Sequence, residues 1–289
     1  MIVQFIVNGI ITGLLYSLLA IGFALVYNTT HIFHIAAAGI YVFASYMFWW
    51  LAVKCGLSMF AAAILALLLT MSLSWFIEIS VYRPLRKRQS SLSVTMIASI
   101  GLMTILINLI AMFFGNETKV VENAILPTYQ IGEIIITTPQ LYQLIIACVT
   151  IGLLLFLQSN TKFGIKIRAL SADETLFETL GYDKQKTFSI VFLLSGLFIG
   201  LASCATVYDV GMDPHMGMTV LINAMVAMII GGVGRLGTCV LGGVLLGVLQ
   251  SLTVYAFASN WQNAITFALL LLFLFLRPQG IAGYKQRVV

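Results

Sequence analysis

Charged residues are scarce in this chain: Asp, Glu, Lys and Arg make up 9% of its 289 residues, whereas hydrophobic residues make up 61%. Soluble domains are roughly 45 to 50% apolar and about 25% charged. So few charges cannot cover a soluble core of this size, which excludes a soluble protein. The net charge of +5 does not indicate a nucleic-acid partner, because membrane proteins collect Lys and Arg in their cytoplasmic loops. The composition is typical of an integral membrane protein.

The residue types that build metal, redox and catalytic sites are equally sparse. The four cysteines are scattered, with no C-x-x-C spacing and no nearby histidine cluster, so they predict neither a disulfide nor a metal site. The chain also lacks the G-x-x-x-x-G-K-[ST] motif of ATP-binding loops. We therefore predict that the chain has no catalytic residues, binds no metal or cofactor itself, and is not an enzyme.

Nine apolar segments approach the roughly 20 residues that a membrane-spanning helix needs. They are approximately residues 7–27, 35–53, 58–82, 93–114, 142–158, 187–208, 218–233, 237–257 and 261–276. Because several are short and Gly-rich joints can lie inside the membrane, we predict eight or nine spanning helices. The expected fold is an all-α polytopic bundle that forms a single transmembrane domain over residues 1–289.

The basic residues give this bundle an orientation. If the N-terminus lies outside and the spans alternate, thirteen of the 15 Lys and Arg residues fall in inner loops, and only Lys54 and Lys119 fall outside. This is the positive-inside pattern of membrane proteins. It places the charged segment 159–187 in the cytoplasm and the segment 115–141 outside, where a β-branched run predicts a small hairpin.

Ionisable side chains are nearly absent from the predicted spans. Glu78 is the one acidic residue inside a span, and its position shortly before Arg83 favours snorkelling or a local ion pair over a proton relay. Carriers driven by protons or sodium usually keep ionisable groups or ion-coordinating broken helices at mid-membrane. The energy for transport is therefore expected to come from a partner.

Sequence similarity between two segments suggests an internal repeat. The segments 58–88 and 261–283 both end a spanning helix at Arg-Pro, which predicts two parallel repeats packed around a central pathway. Small residues four positions apart predict close helix packing. These pairs are Gly9 with Gly13, Gly196 with Gly200, and Gly243 with Gly247.

Polar or Gly-rich joints at 28–39 and 231–243 interrupt the apolar pattern and mark a candidate pathway. The residues expected to line it are Thr30, His34, Asn223, Gly231, Gly232 and Gly234. Two histidines three positions apart at a helix start are more often hydrogen-bonded structure than ligands. A structural role for His34 therefore remains an alternative.

The segment KFGIKIRALSADETLFETLGYDKQK at 162–186 holds nine charged residues. Ser171 and Glu174 form a capping-box pattern, which predicts a helix over 172–180 that Gly181 ends. Leu176, Phe177 and Leu180 are expected on one side of it. A helix this short is not stable alone, so it needs a surface to dock on. Residue patterns leave two alternatives: a helix lying on the membrane, or a helix inserted into a cytoplasmic partner.

Four motifs in order resemble the permease subunits of bacterial branched-chain amino acid ABC transporters. The matching stretches are GIITGLLYSLLAIGFALVYNTT near the N-terminus, the segment from Gly164 to Gly181, GGVGRLGTCVLGG at 231–243, and RPQGIAG near the C-terminus. The resemblance implies a permease in the bacterial inner membrane. Its implied partners are a second homologous permease, two ATP-binding cassette ATPases that hydrolyse the ATP, a periplasmic binding protein, and membrane lipid.

The resemblance also implies that residues 162–186 are the loop that couples the permease to its ATPase. The residues implied to make this coupling are Arg168, Ala172, Asp173, Glu174, Leu176, Phe177 and Gly181. The leading hypothesis is a translocation subunit of an ATP-driven importer for branched-chain or related small amino acids. The alternative is an autonomous secondary carrier or channel-like facilitator.

Two positions depart from the family pattern. The family commonly has N-F-A-H-G after the first span, whereas this chain has His34 followed by Ile35 and three alanines. Arg235 stands where the family has Ser in G-G-x-G-S. The first difference leaves the substrate open, and the second adds a charge at a cytoplasmic helix end.

Overall fold

The chain forms a bundle of long helices in a computed structural model, which describes residues 2–121, 127–131, 134–232, 234–277 and 279–281. In chain order the elements are α1 (Ile2–Thr30), α2 (Ala37–Trp49), α3 (Met59–Ile77), α4 (Arg83–Lys87), α5 (Leu92–Phe114), β1 (Thr128–Ile131), β2 (Ile134–Thr137), α6 (Thr138–Asn160), α7 (Lys162–Ala172), α8 (Glu174–Thr179), α9 (Lys184–Val210), α10 (Met216–Gly231), α11 (Leu236–Ala256) and α12 (Gln262–Leu276). Two π-helical turns, Trp50–Lys54 and Glu78–Tyr82, continue α2 and α3. Of the basic residues predicted inside, Lys285 and Arg287 lie outside the described residues.

In the described part of the chain, eight helical segments are long and apolar enough to cross a membrane, and α10 is a shorter apolar helix of 16 residues. The polytopic all-α fold is therefore confirmed. Side chains at the helix starts fix several boundaries: Ser58 caps α3, Ser91 caps α5, and Thr137 forms a capping box with Gln140 at the start of α6.

The contacts of α11 show that α10 also passes from one end of the bundle to the other. Ser251, late in α11, donates a hydrogen bond to the carbonyl of Phe5, whereas Val240, early in α11, accepts one from Ser17. α11 therefore runs antiparallel to α1 and begins at the end where α1 finishes. Just before α10, Met212 pairs through its backbone with Lys119 at the opposite end. The bundle thus has nine crossing helices within the described residues.

The two ends of the bundle differ in charge. The basic end, where α1 finishes, holds α4, α7, α8, Arg235 and Arg277. The acidic end, where α1 begins, holds the loop after α5 and the β1–β2 hairpin. Gln4 of α1 exchanges hydrogen bonds of 2.7 and 2.8 Å with the backbone of Ile135 in that hairpin. The hairpin predicted in this loop is therefore present, in antiparallel register with Thr128 opposite Thr137.

Glycines bring α1 and α11 into backbone contact at the centre of the bundle. A Cβ atom placed on Gly13 would lie 2.6 Å from the carbonyl oxygen of Gly243, and one on Gly9 would lie 2.7 Å from Cα of Val248. Gly196 and Gly200 of α9 lie in the same way against α3. The small-residue pairs therefore pack helices inside the subunit, as predicted.

The packing of the helices shows an internal repeat, and its two halves run in opposite directions through the bundle. α1 packs against α11 and α10, and α9 packs in the same manner against α3 and α2, while α6 touches both α1 and α9. This pattern relates α1, α2, α3 and α5 to α9, α10, α11 and α12, which run oppositely through the bundle. The predicted parallel repeat is therefore wrong. The two Arg-Pro pairs resemble each other because both lie at the basic end, although the first helix does not stop there as predicted but continues past Pro84 to Lys87.

Candidate coupling surface and buried polar sites

The charged segment at the basic end forms two helices, α7 and α8, rather than one. The helix is interrupted at Asp173, whose backbone is extended (φ −157°, ψ 111°). Asp173 Oδ1 accepts hydrogen bonds from the backbone N–H groups of Thr175 (2.8 Å) and Leu176 (2.9 Å). The predicted cap at Ser171 is wrong, because Ser171 lies inside α7 and the extended residue that can cap α8 is Asp173.

Hydrogen bonding also fixes the charge of this cap. The backbone N–H of Leu176, followed by the hydroxyl of Thr175, holds the pKa of Asp173 below its usual range. The carboxylate therefore stays ionised at neutral pH, where it complements the positive N-terminal end of the helix dipole.

Lys184, the first residue of α9, forms ion pairs that hold α8 against the bundle. Its Nζ lies 3.0 Å from a carboxylate oxygen of Glu174 and 3.0 Å from one of Glu178. Gly181 then turns the chain with φ +82°, a conformation that side chains with a Cβ rarely adopt. Exposed ion pairs contribute little individually, so the apolar contact of Phe177 carries the docking of α8.

Phe177 lies in a buried apolar cluster with Leu170 of α7 and Phe188 of α9, and only 1% of it is exposed. Its ring stacks on that of Tyr182, with 5.1 Å between centroids. In contrast, Leu176 is 57% exposed and Leu180 is 64% exposed. The predicted common face of the three apolar residues is therefore wrong: the leucines, four positions apart, point outward while Phe177 anchors the helix inward.

The remaining residues predicted for coupling are all exposed at the basic end. We call them, with Leu180, the coupling surface: Arg168, Ala172, Asp173, Glu174, Leu176, Leu180 and Gly181. The surface therefore combines two exposed leucines with charges of both signs, on helices held from behind by Phe177 and Lys184.

Thr30 and His34, predicted to line a pathway at the first joint, make hydrogen bonds within the bundle. Thr30 ends α1, donating to the carbonyl of Val26 (2.7 Å). His34 is fully buried, and its Nδ1 lies 2.8 Å from the hydroxyl of Tyr82, which donates to Ser99 (2.8 Å). Ser99 also accepts from the backbone N–H of Ala36 (2.9 Å). His34 thus links three segments of the bundle, which supports the structural alternative.

Asn223 of α10 lies in a buried polar cluster between helices. Its Oδ1 accepts hydrogen bonds from Gln250 Nε2 of α11 (3.1 Å) and from Thr266 Oγ1 of α12 (3.2 Å). All three residues are buried. Amides and hydroxyls that bond across helices hold membrane helices together. The cluster holds α10, α11 and α12 together, which supports a structural role for Asn223.

The three glycines predicted for the pathway form the tight turn between α10 and α11. Gly232 and Gly234 have φ of +104° and +103°, and a Cβ on Gly231 would collide with the backbone of Thr238. This turn lies at the basic end, and Ile281 donates a backbone hydrogen bond to Ile230 beside it (2.8 Å). The geometry of the turn is sufficient to require these glycines, and their pathway role stays a prediction.

Replacing Asn223 tests this structural assignment. Asn223→Leu removes the acceptor of Gln250 and Thr266, and we expect a loss of about 1 to 2 kcal/mol of stability. Thermal unfolding in detergent measures it, with Asn263→Leu, at the exposed start of α12, as the matched control. If Asn223→Leu left stability unchanged but altered the substrate preference of the transporter, Asn223 would be a pathway residue.

A feature that the sequence analysis missed lies on α5. Gly101, Thr104 and Asn108 are exposed along one stripe, roughly opposite the face that Ser99 and Ile110 bury. Asn108 donates from Nδ2 to the carbonyl of Thr104 (2.8 Å), which engages only one of its hydrogen-bonding positions. The sequence contained a signal for this stripe: Thr104 and Asn108 lie four positions apart in a mostly apolar span, and Gly101 lies three residues before Thr104.

Comparisons with known proteins agree with this architecture. A family model described as "Branched-chain amino acid transport system / permease component" matches residues 5–274. Curated relatives include the high-affinity branched-chain amino acid transport system permease protein BraD of Pseudomonas aeruginosa, 27% identical over 98% of this chain and 96% of BraD. LivH of Escherichia coli K12, a protein of the same description, is 24% identical over 96% of this chain and 94% of LivH.

A further relative and a solved structure extend the comparison. The probable branched-chain amino acid transport permease protein LivH of Methanocaldococcus jannaschii is 27% identical over 96% of this chain and 91% of its own. A chain of "PsaBC from Streptococcus pneumoniae in complex with Fab" has a similar fold, with a TM-score of 0.50 at 16% identity over 94% of this chain and 91% of that chain. Because the family model covers nearly the whole sequence, this multi-pass membrane protein belongs to the family of permease components of branched-chain amino acid transport systems.

Proposed function

We propose that this chain is the translocation subunit of an ATP-driven importer that moves branched-chain or related small amino acids across the bacterial inner membrane. The observation that carries the proposal is the coupling surface, a rigidly anchored pair of helices at the basic end with exposed Leu176 and Leu180. A plain surface loop has no need of such anchoring. The substrate class is supported by the relatives, whose names describe branched-chain amino acid transport.

The proposed partners follow from this role. Two ATP-binding cassette ATPases hydrolyse ATP, and one of them docks on the coupling surface of this chain. A periplasmic binding protein delivers the substrate to the acidic end. The chain itself binds no cofactor and catalyses no reaction in this proposal. The alternative of an ion-driven carrier finds little support, because Glu78 is buried and its charge is already paired with Arg86 of the same chain, whereas an ion-driven carrier needs an ionisable group that can take up the coupling ion.

Purification from native membranes tests the proposal. The tagged chain, extracted in mild detergent, is expected to bring with it a polypeptide that hydrolyses ATP and a second permease. A chain that is recovered alone, and that is active alone, is a carrier rather than a translocation subunit.

The exposed stripe on α5 supports a second permease subunit as the partner within the membrane. Asn108 lies about 9 Å from the end of α5 at 1.5 Å per residue, a depth at which lipid cannot bond its amide. A hydroxyl group can donate its hydrogen bond to a carbonyl of its own helix, as Thr104 does to Ile100 (3.0 Å). A side-chain amide has more donor and acceptor positions than the backbone of its own helix can pair. A neighbouring protein surface supplies such partners.

Crosslinking measures this contact. In a background without the four native cysteines, we expect Asn108→Cys labelled with benzophenone maleimide to form a photo-adduct with a permease subunit, seen as a doubling of mass. Val149→Cys on the exposed apolar face of α6, 64% exposed, is the matched control and is expected to give only lipid adducts. Equal protein adducts from both positions, or none from Asn108→Cys, would show that α5 does not lie at the subunit interface.

A further inference from the structure

The helix that leads to the basic end contains a widened turn. Between α3 and α4 the chain makes a π-helical turn over Glu78–Tyr82, shortly before Pro84. Pro84 has no N–H to donate to the preceding turn, and its ring crowds the carbonyl four residues earlier. A π-helical turn accommodates such a break, and turns of this kind are frequent at functional sites.

Glu78 opens this turn with a buried and incompletely paired carboxylate. Its side chain is fully buried, and it accepts an ion-paired hydrogen bond from Arg86 through Oε1. Its other oxygen, Oε2, and Nη1 of Arg86 are buried without a partner among the described residues. A buried ion pair gains little stability over apolar residues of similar volume. Stability alone therefore does not account for this pair.

Arg86 connects the pair to the coupling helices. Its guanidinium carbon lies 4.3 Å from the centre of the Phe188 ring, a cation–π geometry. Phe188 belongs to the same buried cluster as Leu170 of α7 and Phe177 of α8. One buried cluster therefore joins both coupling helices to the ring that faces the cation paired with Glu78.

The far end of the π-helical turn is bonded to the interior of the bundle. Tyr82, its last residue, shares hydrogen bonds of 2.8 Å with His34 in the joint between α1 and α2 and with Ser99 of α5. Its ring also lies 5.3 Å from that of Phe192 in α9. The contacts thus run without a gap from the coupling helices to α5, which carries the polar stripe.

We propose that Glu78 is a positioning residue: with Arg86 and Phe188 it transmits movement of α7 and α8 to the π-helical turn, and through Tyr82 to α5. This inference rests on the proposed function, because it presumes that an ATPase moves the coupling helices. A charge pair and a cation–π contact suit this task, since both weaken as the groups separate and so tie the turn to the position of Phe188.

The test uses the whole transporter, reconstituted in liposomes with its ATPases and its binding protein, and measures amino acid transported per ATP hydrolysed. For Glu78→Gln we expect the complex to assemble and to hydrolyse ATP within twofold of the unmodified transporter, while transport per ATP falls at least about fivefold. Glu78→Asp, which keeps the charge, is expected to restore most of the ratio. Lys87→Gln, an exposed neighbour on α4, is the matched control and is expected to leave it unchanged.

A second variant tests the same proposal in case Glu78→Gln does not fold. Phe188→Leu keeps an apolar side chain in the cluster but removes the ring beneath Arg86, and we expect a fall in transport per ATP of at least about threefold. A ratio within twofold of the unmodified transporter for Glu78→Gln, or for Phe188→Leu if Glu78→Gln does not assemble, overturns the proposal. Failure of the unmodified complex to transport in response to ATP would instead overturn the proposed function itself.

Discussion

Leu176→Asp should separate the permease from its ATPase while leaving the permease in the membrane. Leu176 is 57% exposed on α8 and takes no part in the buried cluster around Phe177. A charged group in place of an apolar contact at the centre of an interface costs roughly 2 kcal/mol or more. This corresponds to an affinity about 30-fold lower. Co-purification of ATPase activity with the tagged permease measures the loss.

Two further variants make this result specific. Gly181→Pro removes the N–H that donates to Glu178 (2.9 Å) and cannot adopt the φ of +82°, so it should weaken the association in the same direction. Leu57→Asp places the same substitution at an exposed position of the acidic end and should have no effect. Full ATPase recovery with both Leu176→Asp and Gly181→Pro would mean that α8 is a plain surface helix.

Gly13→Leu should prevent the chain from accumulating as a folded protein. A Cβ at this position would lie 2.6 Å from the carbonyl oxygen of Gly243 and 2.7 Å from Cα of Val244. Both atoms belong to the backbone of α11, so no side-chain rotation can relieve the collision. Overpacking of this kind costs at least about 3 kcal/mol, at the upper end of its range, and it falls on the contact between the two central helices.

The fraction of monodisperse protein in detergent and its thermal unfolding measure this effect. Gly152→Leu is the matched control, because a Cβ on Gly152 of α6 meets nothing within 4 Å. We expect the control to behave like the unmodified chain. If Gly13→Leu gave the same yield and the same melting temperature as Gly152→Leu, close backbone packing of α1 on α11 would not hold the bundle together.

The long helices could be predicted from the sequence because burial in a membrane requires apolar runs of a given length. α10 was predicted as well, although it has only 16 residues, because the turn residues around it gave its ends. The inverted repeat was missed because packing relates its helices, whereas the visible sequence similarity reflects a shared helix ending. Apolar periodicity does not show which helix lies beside which.

At the candidate site, local chemistry was predictable and tertiary contacts were not. The end of α8 at Gly181 followed from glycine's access to positive φ. The choice between Ser171 and Asp173 as the cap depended on which residue the bundle holds in an extended conformation. The burial of Phe177 depended on Phe188, eleven residues later and on another helix. The hydrogen-bonding partners of Asn223 and His34 could not be predicted from the sequence, and a place for these residues in the pathway stays a prediction.

Amino acid uptake into proteoliposomes tests the central claim most directly. Vesicles containing this chain, its partner permease and the ATPases are supplied with the binding protein, with ATP on the ATPase side and a labelled branched-chain amino acid on the other. The account predicts uptake that requires ATP and every component, and that falls strongly in Leu176→Asp. Uptake by this chain alone, driven by an ion gradient and indifferent to ATP, would contradict it.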